Sequence, residues 1–215
     1  MTSLEFRFPI ADLSHEFYQS LQRSPLGQTG KLNKCMQINS LAVFCGSKIG
    51  NNPIYSQHAA ALGRMMAINN ISLIYGGSRK GIMGALADTI MTNGGKAIGV
   101  IPRILVGWEH QHDGITELLI VDDMHVRKRK MYELCDAALI LPGGFGTLDE
   151  MFELVTWNQL AIHDKPIFVL NSEGFYDHLI QHMLFLEQSG FLYEPIDKKM
   201  KFLKEPSELL VFRSN

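Results

Sequence analysis

Ten consecutive residues, Leu141 to Glu150, combine a glycine turn with two carboxylates and read LPGGFGTLDE. The glycines and the proline are typical of a turn in which the backbone approaches another group closely. Unpaired N–H groups at the start of the helix that follows favour an anion such as phosphate. Glu150 would lie one turn into that helix. Because a carboxylate beside a phosphate site opposes binding, we interpret Glu150 as a group that takes part in chemistry. The alternative is an ordinary strand-to-helix turn with an acidic first turn.

A second charged segment, residues 122–131, follows another apolar run and reads DDMHVRKRKM. Basic residues in the first turn of a helix oppose its dipole, so this run predicts an anion nearby. Arg127 suits a bidentate contact with phosphate or carboxylate. The alternative is a solvated basic turn on a surface helix. His125 and His163 are interpreted as structural polar residues, and since no histidine spacing resembles a ligand set, no metal site is expected.

Short apolar runs alternate with segments of helical spacing and must position these charged groups. The predicted strands lie at residues 41–45, 71–75, 97–101, 118–121, 137–141 and 167–170, and the predicted helices at 55–68, 82–91, 124–134, 148 to about 162, and 175–188, with short elements in the tail at 199–210. This alternation predicts an α/β fold, a Rossmann-like doubly wound parallel sheet with helices on both faces. Ligands of such sheets bind beyond the carboxyl ends of the strands, where the glycines of CGS, YGGS and PGG are expected to meet.

Composition limits the function classes. The formal net charge of -2 provides no broad basic field, so nucleic acid is not an expected partner. No apolar run approaches the roughly 20 residues of a membrane span, and the first residues do not resemble a secretory signal, which predicts a cytoplasmic protein without membrane contact. Cys35, Cys45 and Cys135 are too few and too widely spaced for a disulfide framework or a zinc site. The dinucleotide and ATPase glycine motifs are missing, so no cofactor is expected.

The segments MHVRK and LPGGFGTLDE together resemble the LOG ("lonely guy") family, whose pattern is MHxRK followed by PGGxGTxxE. Further similarity extends over roughly residues 40–190. The resemblance implies a modified Rossmann fold, a homodimer, and a phosphoribohydrolase that cleaves the N-glycosidic bond of N6-modified adenosine 5'-monophosphates; many members also act on AMP. Residues 1–38 have no counterpart in short members, so we expect an N-terminal extension followed by a single domain over residues 39–215.

The resemblance also implies roles for individual positions. Arg127 and Glu150 match the catalytic pair. The positions that match substrate-binding residues are Glu109, Lys128, Gly143, Gly144, Phe145, Gly146, Thr147, Thr156, Gly46, Ser47, Gly76 and Gly77. Ser78 stands where the family usually has a third glycine, which is expected to narrow the pocket slightly.

Cleaving a ribosyl–adenine bond builds positive charge on the sugar, so we expect Glu150 to stabilise an oxocarbenium-like state and to activate water. Whether Arg127 contacts phosphate, ribose hydroxyls or Glu150 stays open. Two other functions are considered: a non-catalytic carrier of a nucleotide or of the molybdenum cofactor, and a pyridoxal-phosphate lysine decarboxylase, which needs a Schiff-base lysine that the motifs do not offer.

Overall fold

A computed structural model of the chain describes residues 36–106 and 111–213. All of these residues belong to one compact unit that begins at Cys35. The predicted extension, residues 1–38, lies almost wholly outside the described residues, and so does Glu109. The division of the chain at residue 38 therefore stays a prediction.

The core of this unit is a sheet of seven strands, all paired in parallel. The strands are β1 Ser40–Phe44, β2 Ser72–Tyr75, β3 Ala97–Pro102, β4 Glu117–Val121, β5 Ala137–Ile140, β6 Ile167–Leu170 and β7 Lys201–Leu203. Their order across the sheet is β4-β3-β2-β1-β5-β6-β7. The chain winds outward from β1 in one direction and from β5 in the other, which confirms the doubly wound α/β fold.

Helices cover both faces of this sheet. They are α1 Pro53–Ile68, α2 Gly81–Thr92, α3 Met124–Leu134, α4 Phe145–Gln159, α5 Asp177–Gln188 and the short α6 Ile196–Lys199. Successive side chains of a strand point to opposite faces, and β1 follows this rule. Its Leu41 and Val43 pack in one apolar cluster with α1 and α2, whereas Ala42 and Phe44 pack in a second cluster with α3, α4 and α5.

Three local features differ from the expectation. Helix α4 begins at Phe145, three residues earlier than predicted, and ends at Gln159, because Ala161 adopts a left-handed conformation with φ 52°. Strand β7 lies within the predicted short tail elements but was not predicted as a strand, since its three residues at the sheet edge are too short for a clear pattern. Helix α5 begins at Asp177, which leaves Phe175 in the preceding loop.

The order of strands reverses between β1 and β5, and the loops that leave these strands are joined there. The Gly46 N–H donates to the carbonyl of Pro142 at 3.0 Å, and the Leu141 N–H donates to the carbonyl of Phe44 at 2.9 Å. A ligand crevice of an open parallel sheet forms at such a reversal point. The loops that carry the CGS and PGG motifs therefore lie side by side.

Candidate active site

A cleft of about 500 Å³ opens at this edge of the sheet. Its walls come from the loops after β1, β2 and β5, from the first turns of α2 and α4, and from side chains of α3. The predicted site residues that line it are Arg127, Glu150, Gly46, Ser47, Gly76, Gly143, Gly144, Phe145, Gly146 and Thr147. Residues separated by about a hundred positions in the sequence thus share one wall.

The glycine loop is packed so closely that Gly143 has no room for a side chain. A Cβ atom there would lie 2.1 Å from Thr147 Oγ1 and 3.0 Å from Gly46 N. Gly144 is the N-cap of α4, and the first hydrogen bond of this helix runs from Leu148 N to Gly144 O at 3.1 Å. The N–H groups of the three residues between them have no acceptor within the helix. The loop therefore has the backbone geometry of an anion site.

Arg127 reaches the cleft from α3 and is almost fully buried. Its Nε donates to the carbonyl of Val100 at 3.1 Å, which fixes the plane of the guanidinium. The group passes directly over Gly76, where a Cβ atom would lie 2.2 Å from Nη2. At the start of α3, Asp123 Oδ1 accepts from Val126 N at 2.9 Å and places a negative charge at the positive end of the helix.

Glu150 faces this guanidinium across the cleft. Its Oε1 lies 3.7 Å from Arg127 Nη1, and its side chain is 11% exposed. This separation exceeds the range of an N–H···O hydrogen bond, although two opposite charges at this distance attract each other strongly in a poorly solvated site. A guanidinium and a carboxylate are therefore separated by more than hydrogen-bond distance, beside the glycine loop.

Cys45 lines the same cleft but has little nucleophilic character. Burial raises the pKa of its thiol strongly, and the nearby charge of Glu150 raises it further, against an opposing effect of Arg127. Burial likewise raises the pKa of the Cys135 thiol to about 11. The thiolate is the reactive form of cysteine. Because both thiols stay protonated at neutral pH, Cys45 and Cys135 act as small buried side chains.

Of the four other predicted positions, three are described by the structure and do not line the cleft. Gly77 has φ 77°, and its carbonyl accepts from His112 N at 2.9 Å. The Thr156 hydroxyl donates to the Phe152 carbonyl within α4. Lys128 contacts Asp149 and Glu153 instead. The fourth, Glu109, lies outside the described residues.

Ser78 and Trp157, which neighbour two of these positions in sequence, also lie outside the lining of the cleft. Ser78 is fully buried, its Oγ accepts from Lys80 N, and it does not line the cleft, so the expected narrowing has no counterpart here. Trp157 packs edge-on against Tyr132. Tyr132 also forms a hydrogen bond with His163 and stacks on its ring. Burial and the charge of Lys165 lower the pKa of His163 to about 4, and the charge of Asp164 opposes this shift. Ser78 and the aromatic cluster around Tyr132 therefore belong to the scaffold around the cleft.

Sequence reasoning missed the contribution of the loop after β6. The Tyr176 hydroxyl donates to the Leu141 carbonyl at 2.7 Å, directly before the glycine loop. Phe175 lines the cleft and packs edge-on against Tyr55, with ring centroids 5.4 Å apart. Asn171 Oδ1 accepts from Tyr176 N at 2.7 Å and holds the loop in place. The two aromatic residues continue the apolar pattern of α5 in sequence, so nothing distinguished them from core positions.

Comparison with known proteins decides the family. The family model described as "Possible lysine decarboxylase" matches residues 83–211. The cytokinin riboside 5'-monophosphate phosphoribohydrolase of Rhodococcoides fascians is 43% identical over 154 residues, which are 71% of this chain and 78% of that protein. This chain belongs to the LOG family. The expected membership of the LOG family is thereby confirmed.

Plant members of the LOG family are equally similar. Cytokinin riboside 5'-monophosphate phosphoribohydrolase LOG1 of Arabidopsis thaliana is 42% identical over 152 residues, which are 71% of both chains. The probable phosphoribohydrolase LOGL1 of Oryza sativa subsp. japonica is 44% identical over 140 residues, which are 65% of this chain and 63% of the rice protein. The match thus spans somewhat less than two thirds of the rice relative.

Solved structures agree with the LOG-family fold. The molybdenum cofactor binding protein from Rippkaea orientalis superposes with a TM-score of 0.61 at 20% identity, over 82% of this chain and 95% of that one. The molybdenum cofactor carrier protein from Chlamydomonas reinhardtii gives a TM-score of 0.59 at 15% identity, over 80% and 93% of the two chains. At this identity the likeness concerns the fold alone. Across residues 36–106 and 111–213, no helix combines the length and apolar character needed to cross a bilayer.

The contact between Gly76 and Arg127 generates a structural prediction. In a Gly76→Ala variant the added methyl group would overlap Nη2, so we expect the guanidinium to move and its hydrogen bond to Val100 O to break. A crystal structure of the variant measures both. Gly146→Ala is the control, because a Cβ atom there meets nothing within 4 Å and the backbone of Gly146 is not left-handed. An Arg127 side chain in its original place in Gly76→Ala would show that the contact does not constrain it.

Proposed function

We propose that this LOG-family chain hydrolyses the N-glycosidic bond of adenosine 5'-monophosphates, with or without an N6 substituent, and releases the free base and ribose 5-phosphate. The observation that carries the proposal is the Arg127–Glu150 pair, held 3.7 Å apart beside the glycine loop. The phosphoribohydrolase names of relatives at 42–44% identity support the same reaction. The cleft thus offers one site for a phosphate and one for a developing cation.

In the proposed complex the 5'-phosphate lies against the N–H groups at the start of α4, between Gly144 and Thr147. The helix dipole adds to the attraction of these donors. Binding the phosphate there orients the ribose and converts binding energy into positioning of the reacting carbon. Arg127 contributes its planar fork to substrate oxygens next to Glu150, and because its Nε is already bonded to Val100 O, the fork does not have to be ordered on binding.

Glu150 is the sixth residue of helix α4 and lies about one and a half turns from its start. In the proposed mechanism it faces the anomeric carbon, where positive charge develops as the bond to the base breaks. A carboxylate that is only slightly exposed stabilises such charge more effectively than a solvated one. The same oxygen atoms can orient the attacking water and accept its proton. A bond from the water oxygen to the anomeric carbon forms as the bond from that carbon to the base nitrogen breaks. The base takes up the bonding electrons and one proton, which balances the proton that Glu150 accepts from the water.

The two alternatives make different demands on the cleft. A carrier of a nucleotide or of the molybdenum cofactor needs the glycine loops but no facing Arg–Glu pair, and the resemblance to carrier structures at 15–20% identity extends to the fold only. A lysine decarboxylase needs a lysine activated by burial or by a second cation. Lys48, which directly follows the CGS motif, lines the cleft, but it is exposed to solvent. Both features favour the hydrolase.

We further propose that the chain acts as a homodimer in the cytoplasm, with Glu109 and Thr156 contributing to the substrate site as the family pattern implies. Helix α4 supports the dimer. It buries Met151 and Leu154 against the sheet, while Phe152 remains 41% exposed on another side. Phe145, at the start of the same helix and at the cleft, is 93% exposed. A helix that is apolar around much of its surface requires cover on more than one side.

The reaction is tested first with the wild-type protein and a Glu150→Gln variant. We expect the wild type to release base from AMP or from isopentenyladenosine monophosphate, as measured by chromatography. Glu150→Gln keeps the shape and removes the charge, so turnover should fall by at least roughly 100-fold while ribose 5-phosphate still binds. Glu133→Gln, the same change at an exposed position of α3, should be silent. No base release by the wild type from either nucleotide would refute the hydrolase.

Phosphate recognition is tested by comparing AMP with adenosine. If the glycine loop holds the 5'-phosphate, adenosine should show both a lower kcat and a higher KM, because remote binding energy positions the reacting carbon. Arg127→Lys keeps the charge but loses the planar fork, so we expect a loss of at least about tenfold in kcat/KM for AMP. Equal turnover of adenosine and AMP would show that the loop does not bind phosphate.

The dimer is tested by light scattering at micromolar concentration. We expect a mass of twice the 24.2 kDa of one chain. Phe152→Glu places a charge on the exposed apolar side of α4 and should shift the mass towards that of the monomer. Phe185→Glu makes the same change on α5 at a side chain that is also exposed, and should not. A monomeric wild type would contradict the interface.

A further inference from the structure

We propose that Lys128 is a positioning residue, which holds α3 and α4 at the spacing that keeps Arg127 and Glu150 apart, and that it does not contact the nucleotide. The inference rests on the proposed function, since it concerns the same site. It differs from the family-based expectation that Lys128 binds substrate. The observations behind it are the partners of the ammonium group and the positions of those partners in sequence.

The ammonium group of Lys128 bridges two carboxylates of α4. Its Nζ lies 2.6 Å from Asp149 Oδ2 and 3.0 Å from Glu153 Oε2, and the side chain is only 12% exposed. Lys128 does not line the cleft. A direct contact with a nucleotide would require it to leave both carboxylates. Two short charged hydrogen bonds, one of them to the partly buried Glu153, oppose that movement.

The bridge also explains an otherwise unfavourable pair of charges. Asp149 and Glu153 are four residues apart, so they lie on the same side of α4, where like charges repel each other. Lys128 compensates both. Burial lowers the pKa of its ammonium group, but the hydrogen bonds to Asp149 and Glu153 outweigh this effect and raise the pKa overall. The ammonium therefore stays charged at neutral pH, as the bridge requires.

Two of the ion pairs that join these helices are formed by adjacent residues on both helices. Lys128 follows Arg127 on α3, and Asp149 precedes Glu150 on α4. The pair outside the cleft is tight, whereas the Arg127–Glu150 pair inside it is 3.7 Å wide. Without a restraint on the two helices, Arg127 and Glu150 would approach to hydrogen-bond distance and fill the space that the substrate needs. The outer bridge restrains the helices against that collapse. A displacement of about 1 Å at a reacting centre can lower turnover roughly 100-fold.

A double-mutant cycle separates positioning from substrate contact. The variants are Lys128→Met, the pair Asp149→Asn with Glu153→Gln, and the combination of all three. Positioning predicts that Lys128→Met lowers kcat for AMP by about tenfold or more, while KM and the Kd for ribose 5-phosphate change less than about twofold. The neutralised pair should have a similar effect, and the triple variant should lose little more, since one bridge is removed in each case.

Two further variants control for charge and for stability. Lys128→Arg retains a cation of similar reach and should recover most of the lost kcat. Lys130→Met removes a lysine from the same helix whose partner, Glu133, lies at a loose 3.9 Å and is exposed, so this variant should match the wild type. A Lys128→Met protein that keeps its full kcat and loses only thermal stability would overturn the proposal.

Substrate contact gives the opposite pattern. Lys128→Met would then weaken the binding of ribose 5-phosphate by tenfold or more, and equally whether or not the two carboxylates are neutralised. A crystal structure of Lys128→Met provides a test that does not depend on turnover, because it measures the distance from Arg127 Nη1 to Glu150 Oε1 directly. An unchanged distance overturns the positioning role. A wild type that binds ribose 5-phosphate without hydrolysing any nucleotide would remove the proposed function, while the changed or unchanged distance still decides the role of Lys128.

Discussion

The close approach of two backbone loops at the reversal of strand order is the constraint on which the site depends. The hydrogen bond from Gly46 N to Pro142 O joins the loops after β1 and β5. It brings Gly143 so near to Gly46 and Thr147 that any side chain at position 143 would overlap them. The first turn of α4 is thereby directed along the cleft, with its free N–H groups at one end and Glu150 further along. Together with the bonds that Leu141 forms with Phe44 and Tyr176, this contact fixes the glycine loop and α4 relative to the rest of the sheet.

Much of the positive charge in the first turn of α3 is compensated by carboxylates of the chain itself. The basic first turn of α3 suggested an anionic ligand from sequence alone, but three carboxylates of the chain compensate much of it. Asp123 caps the helix, and Asp149 and Glu153 bind Lys128. Arg127 is the basic side chain of this turn that lines the cleft, where it faces Glu150. A basic run in sequence is therefore weaker evidence for a ligand than the single buried cation that it contains.

Much of this arrangement could be predicted because short apolar strands and glycine turns leave a strong local signal. The parallel sheet, the positions of Arg127 and Glu150, and the loops that surround them follow from alternation and from known crossover geometry. The start of α4 was misplaced because glycine disfavours helices, yet Gly146 lies in the first turn, where tertiary packing overrides propensity. The bond from Tyr176 to Leu141 joins residues 35 positions apart, and no local pattern encodes such a contact. The partners of Lys128 were missed for the same reason.

The wide sequence spacing of the cleft has a consequence for folding. Its walls come from the segments around residues 46, 76, 127 and 143–150, each contributed by a different strand–helix unit. Contacts between such distant segments are expected to form late in folding, because closing the intervening loops costs entropy before the contacts can contribute any stability. A partly folded chain would therefore have no binding site. A nucleotide or phosphate that binds the cleft would select the complete fold and stabilise it against unfolding by a free energy that rises with the logarithm of its concentration above the Kd. The ligand's concentration in the cell would then help to set the lifetime of the protein.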